Sequence, residues 1–265
     1  MKVDVIIPTY KPNDTFCLLL QKLQEQTFLI HRVLILNTEE NLWQEAEKQY
    51  ALEKYLAQLS CPYEIYHISK KEFDHGGTRS FGAGKSEADI LLFMTQDAVP
   101  ADEFLVEELV RGLEEEGTAA AYARQLPKED CSVVERYTRQ FNYPEVSRRK
   151  GKEDIPVLGI KTYFCSDVCA AYKRSIFEKL GGFESPVIFN EDMFFAAKAI
   201  QAGYYVYYAA EARVFHSHNY TARQQFHRNF DLAVSQKQHP EIFEAVSSEA
   251  EGMRLVKDTV KYLFR

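Results

Sequence analysis

What the chain lacks narrows the field before any motif is weighed. It has no apolar run long enough to cross a bilayer, which excludes a helical membrane-spanning protein. It has no basic excess. A formal net charge of -7 argues against a surface built to coat nucleic acid, although a metal ion can still invert the local charge for a polyphosphate ligand. Met1-Lys2-Val3-Asp4 runs straight into a strand-like segment rather than a signal peptide, so a cytoplasmic location is expected. The five cysteines are odd in number, and Cys165 and Cys169 have no second pair to complete a zinc site. Reduced, mostly buried thiols are therefore expected. Internal repeats and low-complexity segments are also missing.

What is present suits an enzyme-sized domain. The 265 residues are 46% hydrophobic and 13% aromatic. That supplies a sizeable core, and the core is the plainer destination for most of the rings. In the first half, strand and helix patterns alternate. Val3–Pro8, Val33–Leu36, Tyr63–Ile68 and Asp89–Met94 read as strands. Helical stretches begin near Pro12-Asn13-Asp14 and run from about Leu42 to Leu59. Such alternation predicts a parallel sheet with right-handed crossovers, which binds ligands beyond the carboxyl ends of its strands. The second half is less regular. Residues 141–156, with Arg148-Arg149-Lys150, read as a polar loop with a mobile lid as the functional alternative. Strands are expected near Tyr163–Tyr172, Tyr204–Tyr208 and Ala212–Phe215, and a helix opens at Asn190-Glu191-Asp192. The last stretch, 241–265, reads as an amphipathic helix with Met253, Val256, Val260 and Leu263 on one face and a basic stripe beside them.

Four segments carry chemistry. Asp97, in Thr95-Gln96-Asp97, follows a buried strand, where a carboxylate can hold Mg or Mn beside phosphate oxygens; a turn or cap is the plainer reading. His216 and His218 are one residue apart after an apolar strand and so point the same way, and imidazole favours Mn over Mg. Glu191 and Asp192 at a helix start are capping acids or, alternatively, supply a general base. Asp74 through Arg79, with Gly76-Gly77, open a helix as an anion site or a flexible turn.

Taken in order, Val5-Ile6-Ile7-Pro8-Thr9-Tyr10, Gly76-Gly77-Thr78-Arg79, Thr95-Gln96-Asp97, Asn190-Glu191-Asp192 and His216-Ser217-His218-Asn219-Tyr220-Thr221 resemble family 2 glycosyltransferases. Among these, the bacterial rhamnosyltransferases of cell-wall and surface polysaccharide synthesis are the most similar. The resemblance implies the GT-A fold over 1–240, with 1–100 as the nucleotide-binding half and 101–240 as the acceptor half. It implies an inverting transfer from a nucleotide-sugar, dTDP-L-rhamnose before a UDP-sugar, to a glycan or lipid-linked glycan. By the same resemblance Pro8, Thr9, Tyr10, Asn37, Glu39, Gly77, Arg79, Gln96 and Asp97 would hold the donor. Asp97, His216 and His218 would hold Mn or Mg, Asp192 would be the base, and Glu191 would support it or bind acceptor. Thr95 stands where many relatives carry a first Asp, which implies weaker metal affinity. Asn37-Thr38-Glu39 stands where an Asp-Asp pair is common. The missing first acid motivates a rival, a non-catalytic nucleotide-sugar-binding module. A nucleotidyltransferase would need a Gly-rich basic signature after the first strand, which Tyr10-Lys11-Pro12-Asn13 does not supply. The C-terminal helix suggests a peripheral contact with the inner face of the cell membrane.

Overall fold

A computed structural model describes residues 1–243, 246 and 249–264. The first half follows the expected alternation. The parallel strands β1 (Val3–Thr9), β2 (Arg32–Thr38), β3 (Tyr63–Ile68) and β4 (Ile90–Met94) are linked by α1 (Asp14–Gln24), α2 (Glu40–Tyr50) with α3 (Leu52–Leu56), and α4 (His75–Gly84). β1, β2 and β4 are almost wholly buried, because helices cover both faces; this is why they read as unbroken apolar runs rather than alternating ones. The single helix expected from Leu42 to Leu59 is instead two, broken at Ala51, which adopts a left-handed conformation (φ 51°).

The second half extends the same sheet. The chain continues through β5 (Val99–Pro100), α5 (Leu105–Glu114), β6 (Thr118–Leu126), α6 (Val133–Asn142), β7 (Arg148–Lys150), α7 (Ile155–Leu158), β8 (Cys169–Lys173), α8 (Arg174–Lys179), α9 (Glu191–Gln201), β9 (Tyr205–Phe215), α10 (Ala222–Gln238), α11 (Pro240–Phe243) and α12 (Glu249–Leu263). Strand order is β3-β2-β1-β4-β8-β6-β9-β5, with β7 also on β9. β8 runs antiparallel to β4 and β6, while β9 runs parallel to β6. The carboxyl ends of β1, β2, β3, β4, β6 and β9 therefore share one edge with the start of β8.

Three sequence expectations change here. The segment 141–156 is not a solvated loop: β7 pairs with β9, and the Lys150 amine is buried, donating to the Tyr122 hydroxyl and the carbonyls of Lys161 and Phe164. Burial without a carboxylate partner pushes that amine down to about 7. The strand expected from Tyr163 begins only at Cys169, after a 3-10 turn over Gly159–Thr162. The two short strands after Tyr204 are one strand, β9, whose pairing with β6 shifts register between Ala123 and Arg124; Glu211 in the irregular stretch interrupts the apolar pattern.

Packing also explains Gly76 and Gly77. A side chain at Gly76 would sit 1.8 Å from the Glu184 carbonyl oxygen, and one at Gly77 would sit 2.3 Å from an Asp74 carboxylate oxygen. The pair lets α4 lie against residues 184–187. All five cysteines are free, and Cys17, Cys165 and Cys169 are buried. The helix expected over 241–265 is described as α11 and α12, and the rest of that span lies outside the described residues. α12 rests on α6 through Tyr262 on Tyr137 (4.6 Å), while Met253, Val256, Val260 and Leu263 stay exposed. No helix among the described residues is long and apolar enough to cross a membrane.

Candidate active site

The first part of the site forms where β5 lies antiparallel to β9, Val99 opposite Phe215. That register brings the turn after β4 against the residues after β9. Asp97, His216 and His218 meet there with candidate ligand atoms within 4.8 Å of one another. His216 Nε2 lies 3.6 Å from Asp97 Oδ1, His218 Nε2 lies 3.4 Å from Asp97 Oδ2, and the two imidazole nitrogens lie 3.0 Å apart. Two nitrogens and a carboxylate suit a borderline divalent ion such as Mn better than Ca. Burial pushes both imidazoles down, so His216 is neutral at neutral pH and keeps a lone pair for a metal. Tyr220 stacks on His218 at 5.0 Å.

Along the same edge, Thr9 donates to Asn37 Oδ1 (3.2 Å), and Asn37 donates to the Glu39 carbonyl (3.0 Å) and meets His67 Nδ1. Pro8 sits in register with Leu36. Gln96 clamps the end of β1: its side chain accepts from the Tyr10 amide and donates to the Tyr10 carbonyl, leaving the Tyr10 ring exposed. Lys11 and Glu39 hold positive φ (51° and 69°), so both loops turn sharply at the rim.

The third part is built on the start of α9. Asn190 is left-handed (φ 71°), and it carries Glu191 and Asp192 into the first turn. Their side chains part company. Glu191 turns inward to Arg79 (3.2 Å), which also lies 3.3 Å from Asp167. Arg79, Asp167 and Glu191 are all buried. Asp192 stays half-buried and accepts from the Asp167 and Met193 amides. Burial first, then the neighbouring Glu191, push its carboxyl up to about 7. Asp167, held by the Tyr172 hydroxyl, is also pushed up by burial.

Arg79 and Gly77 differ in placement from the anion site the sequence suggested. The Gly77 amide donates to Asp74, and the Arg79 guanidinium is enclosed with Glu191 and Asp167. Sequence reasoning missed Asp167, Ser166, Gln125 and Arg228. The signal in the sequence for Asp167 is an aspartate just before an apolar strand, a place where the strand-end rule does not put a ligand. Ser166 and Asp167 join the two halves of the site: Ser166 accepts from Gln125, which faces His216, while the Asp167 amide holds Asp192. Arg228 on α10 lies over the rings of Phe189 (5.2 Å) and Tyr220 (5.9 Å), between the start of α9 and the histidines, and no carboxylate pairs with it among the described residues. Away from this edge, a cavity of about 380 Å³ is walled by Tyr122, Phe164, Tyr208 and Lys150.

Comparison with known proteins accords with this geometry. Residues 4–181 match the family described as glycosyl transferase family 2. The chain is 40% identical over 267 residues to the O-antigen chain rhamnosyltransferase RfbN of Salmonella typhimurium, covering 100% of this chain and 82% of that protein. It is 45% identical over 203 residues to the O-antigen chain rhamnosyltransferase WbaN of Salmonella anatum, covering 76% of this chain and 64% of that one. Among solved structures, the mannosyltransferase PcManGT of Pyrobaculum calidifontis, in complex with GDP-Man and Mn²⁺, superposes with TM-score 0.65 at 17% identity, covering 90% of this chain and 62% of that one. S. aureus TarS 1-349 in complex with UDP-GlcNAc gives TM-score 0.60 at 16% identity, covering 100% and 73%. These likenesses show the GT-A fold.

Removing Arg79 leaves Glu191 and Asp167 buried without a cation, which typically costs about 3–5 kcal/mol. Urea unfolding of Arg79→Leu is expected to show a loss of that size. An unchanged midpoint would mean that the cluster does not hold the start of α9.

Proposed function

The chain belongs to glycosyl transferase family 2, and on that premise we propose that it is an inverting, metal-dependent rhamnosyltransferase. It takes L-rhamnose from dTDP-L-rhamnose and delivers it to a hydroxyl of a glycan or lipid-linked glycan during surface polysaccharide synthesis. The observation that carries the catalytic part is the gathering of Asp97, His216 and His218 on one sheet edge, tied through Ser166 and Asp167 to a raised, half-buried Asp192. The relatives named for O-antigen rhamnose transfer support the sugar.

In this reading Asp97, His216 and His218 hold the divalent ion, which supplies charge to offset the leaving diphosphate. Thr9, Tyr10, Asn37 and Glu39 line the nucleoside side. Arg228, with no carboxylate partner among the described residues and lying between the two halves, offers a second positive charge to the diphosphate. Asp192 takes the proton of the attacking hydroxyl, and its raised pKa matches a base working near neutrality. Arg79 keeps Glu191 turned inward, which leaves Asp192 the carboxylate available to the acceptor. The exposed apolar stripe of α12, with Lys257 and Lys261 beside it, supports a peripheral contact with an anionic bilayer.

A base must be ionised, so turnover should rise with pH through about 7 and level off above it. Stability runs the other way. The raised carboxyl favours folding while protonated, and that contribution is lost as pH rises from the unfolded value near 3.8 through about 7. Asp192→Asn should lose about 10²- to 10⁴-fold in kcat and flatten the acid limb, with nucleotide binding intact. Equal loss of binding would make Asp192 a cap rather than a base.

Calorimetric titration of dTDP, UDP and GDP, each with and without Mn²⁺, tests the donor. Metal-dependent binding of dTDP in preference to the others is expected. Preference for UDP would keep the enzyme and replace the sugar. No binding of any would favour the non-catalytic module that Thr95, in place of a first acid, suggests.

A further inference from the structure

Gln125, the penultimate residue of β6, is 2% exposed and lies beside the first residue after β9: the His216 amide donates to the neighbouring Leu126 carbonyl at 3.0 Å. Its amide is bound on both sides. Nε2 donates to the Tyr143 hydroxyl (2.5 Å) and to Ser166 Oγ (3.0 Å), while Oε1 faces the Arg139 guanidinium and His216 Nδ1 (3.0 Å). A guanidinium only donates, so the amide atom turned toward Arg139 must be the carbonyl oxygen. That fixes which way the amide points. The same oxygen has no proton to give His216, so Nδ1 must carry the hydrogen. Nε2 is then a bare lone pair, and Nε2 is the atom facing His218 and Asp97. The opposite tautomer would aim an N–H into the cluster and bar coordination there.

Arg139 is itself fixed, with Nε donating to Glu135 at 2.7 Å one turn earlier on α6. A hydrogen-bonded chain thus runs from Glu135 and Arg139 on α6 to Gln125 Oε1, which accepts from both Arg139 and His216, and Glu135 also accepts from the His218 amide at 3.4 Å.

We infer that Gln125 is a positioning residue that sets the His216 tautomer and orientation for divalent-metal binding, with Arg139 setting Gln125. This rests on the reading of Asp97, His216 and His218 as metal ligands. Groups that accept the second N–H of a ligating histidine typically contribute 10- to 100-fold to metal affinity.

The first readout needs no metal. Long-range ¹H–¹⁵N spectra of the metal-free protein at neutral pH should show His216 protonated at Nδ1, and Gln125→Met should lose that preference. Gln125→Glu keeps an acceptor oxygen and should restore it. The second readout is Mn²⁺ binding followed by electron paramagnetic resonance. Gln125→Met should bind Mn²⁺ about 10- to 100-fold more weakly than wild type, with Gln125→Glu within a few-fold. An Nε2-protonated His216 in wild type, or wild-type Mn²⁺ affinity in Gln125→Met alongside weakened His216→Ala, overturns the positioning role while leaving the triad intact. Unweakened binding in His216→Ala instead removes the triad, and this inference with it. Should Gln125→Met fail to fold, Arg139→Met, which frees the amide to turn over, carries the same two expectations at a more accessible position.

Discussion

One buried guanidinium organises the acidic half of this molecule. Arg79 is enclosed where α4, the start of β8 and the start of α9 converge, and it takes Asp167 and Glu191 as ion partners. Buried charge is costly unless paired, so the position of each element is constrained by the need to keep that cation satisfied. The consequence reaches the chemistry. With Glu191 committed inward, a second acid one residue later is left half-exposed beside another acid in low dielectric. This arrangement raises the Asp192 carboxyl to about 7. That value suits the base role proposed for Asp192, where its place in the first turn of α9 alone would read as a helix-capping acid.

The second constraint is topological. A parallel sheet gathers its ligand-binding loops at one edge, and here two antiparallel strands bring further parts of the chain to that edge. The residues just before β8, Ser166 and Asp167, lie beside the turn after β4, where the Thr95 amide donates to the Val168 carbonyl. The short β5 holds that turn against the end of β9, so Asp97 meets two histidines more than a hundred residues later in the chain. The opposite edge carries a different kind of charge. Buried Asp4 pairs with His31 and Arg32 and accepts from Ser86, far from the loops that would meet a ligand. Buried charge alone therefore does not mark the site; its position along the strands does.

Much of this was legible from residues. β1, β2 and β4 are apolar runs because both faces are covered, and Asp97, Asp192, His216 and His218 follow or precede apolar runs at recognisable points. What stayed hidden depends on contacts distant in sequence. Ala51 breaks a helix with no local signature, since it takes a left-handed turn without being a glycine. β9 reads as two strands because Glu211 interrupts its apolar pattern in the stretch where its pairing with β6 shifts register. Gln125 carries no motif, and its place beside His216 exists only because β6 and β9 are neighbours. Arg79 was visible as a charged residue in a glycine-rich helix start, but its partners lie 88 and 112 residues onward, where no spacing rule reaches.

The central claim is that one sheet edge joins the proposed three-residue metal site to Asp192. The most direct measurement is an anomalous-difference map from crystals grown with Mn²⁺ and dTDP. The account predicts a single strong peak within coordination distance of Asp97, His216 and His218, with the diphosphate between it and the half of the edge that carries Asp192. A peak elsewhere, or manganese held by the nucleotide with neither histidine as ligand, would contradict it.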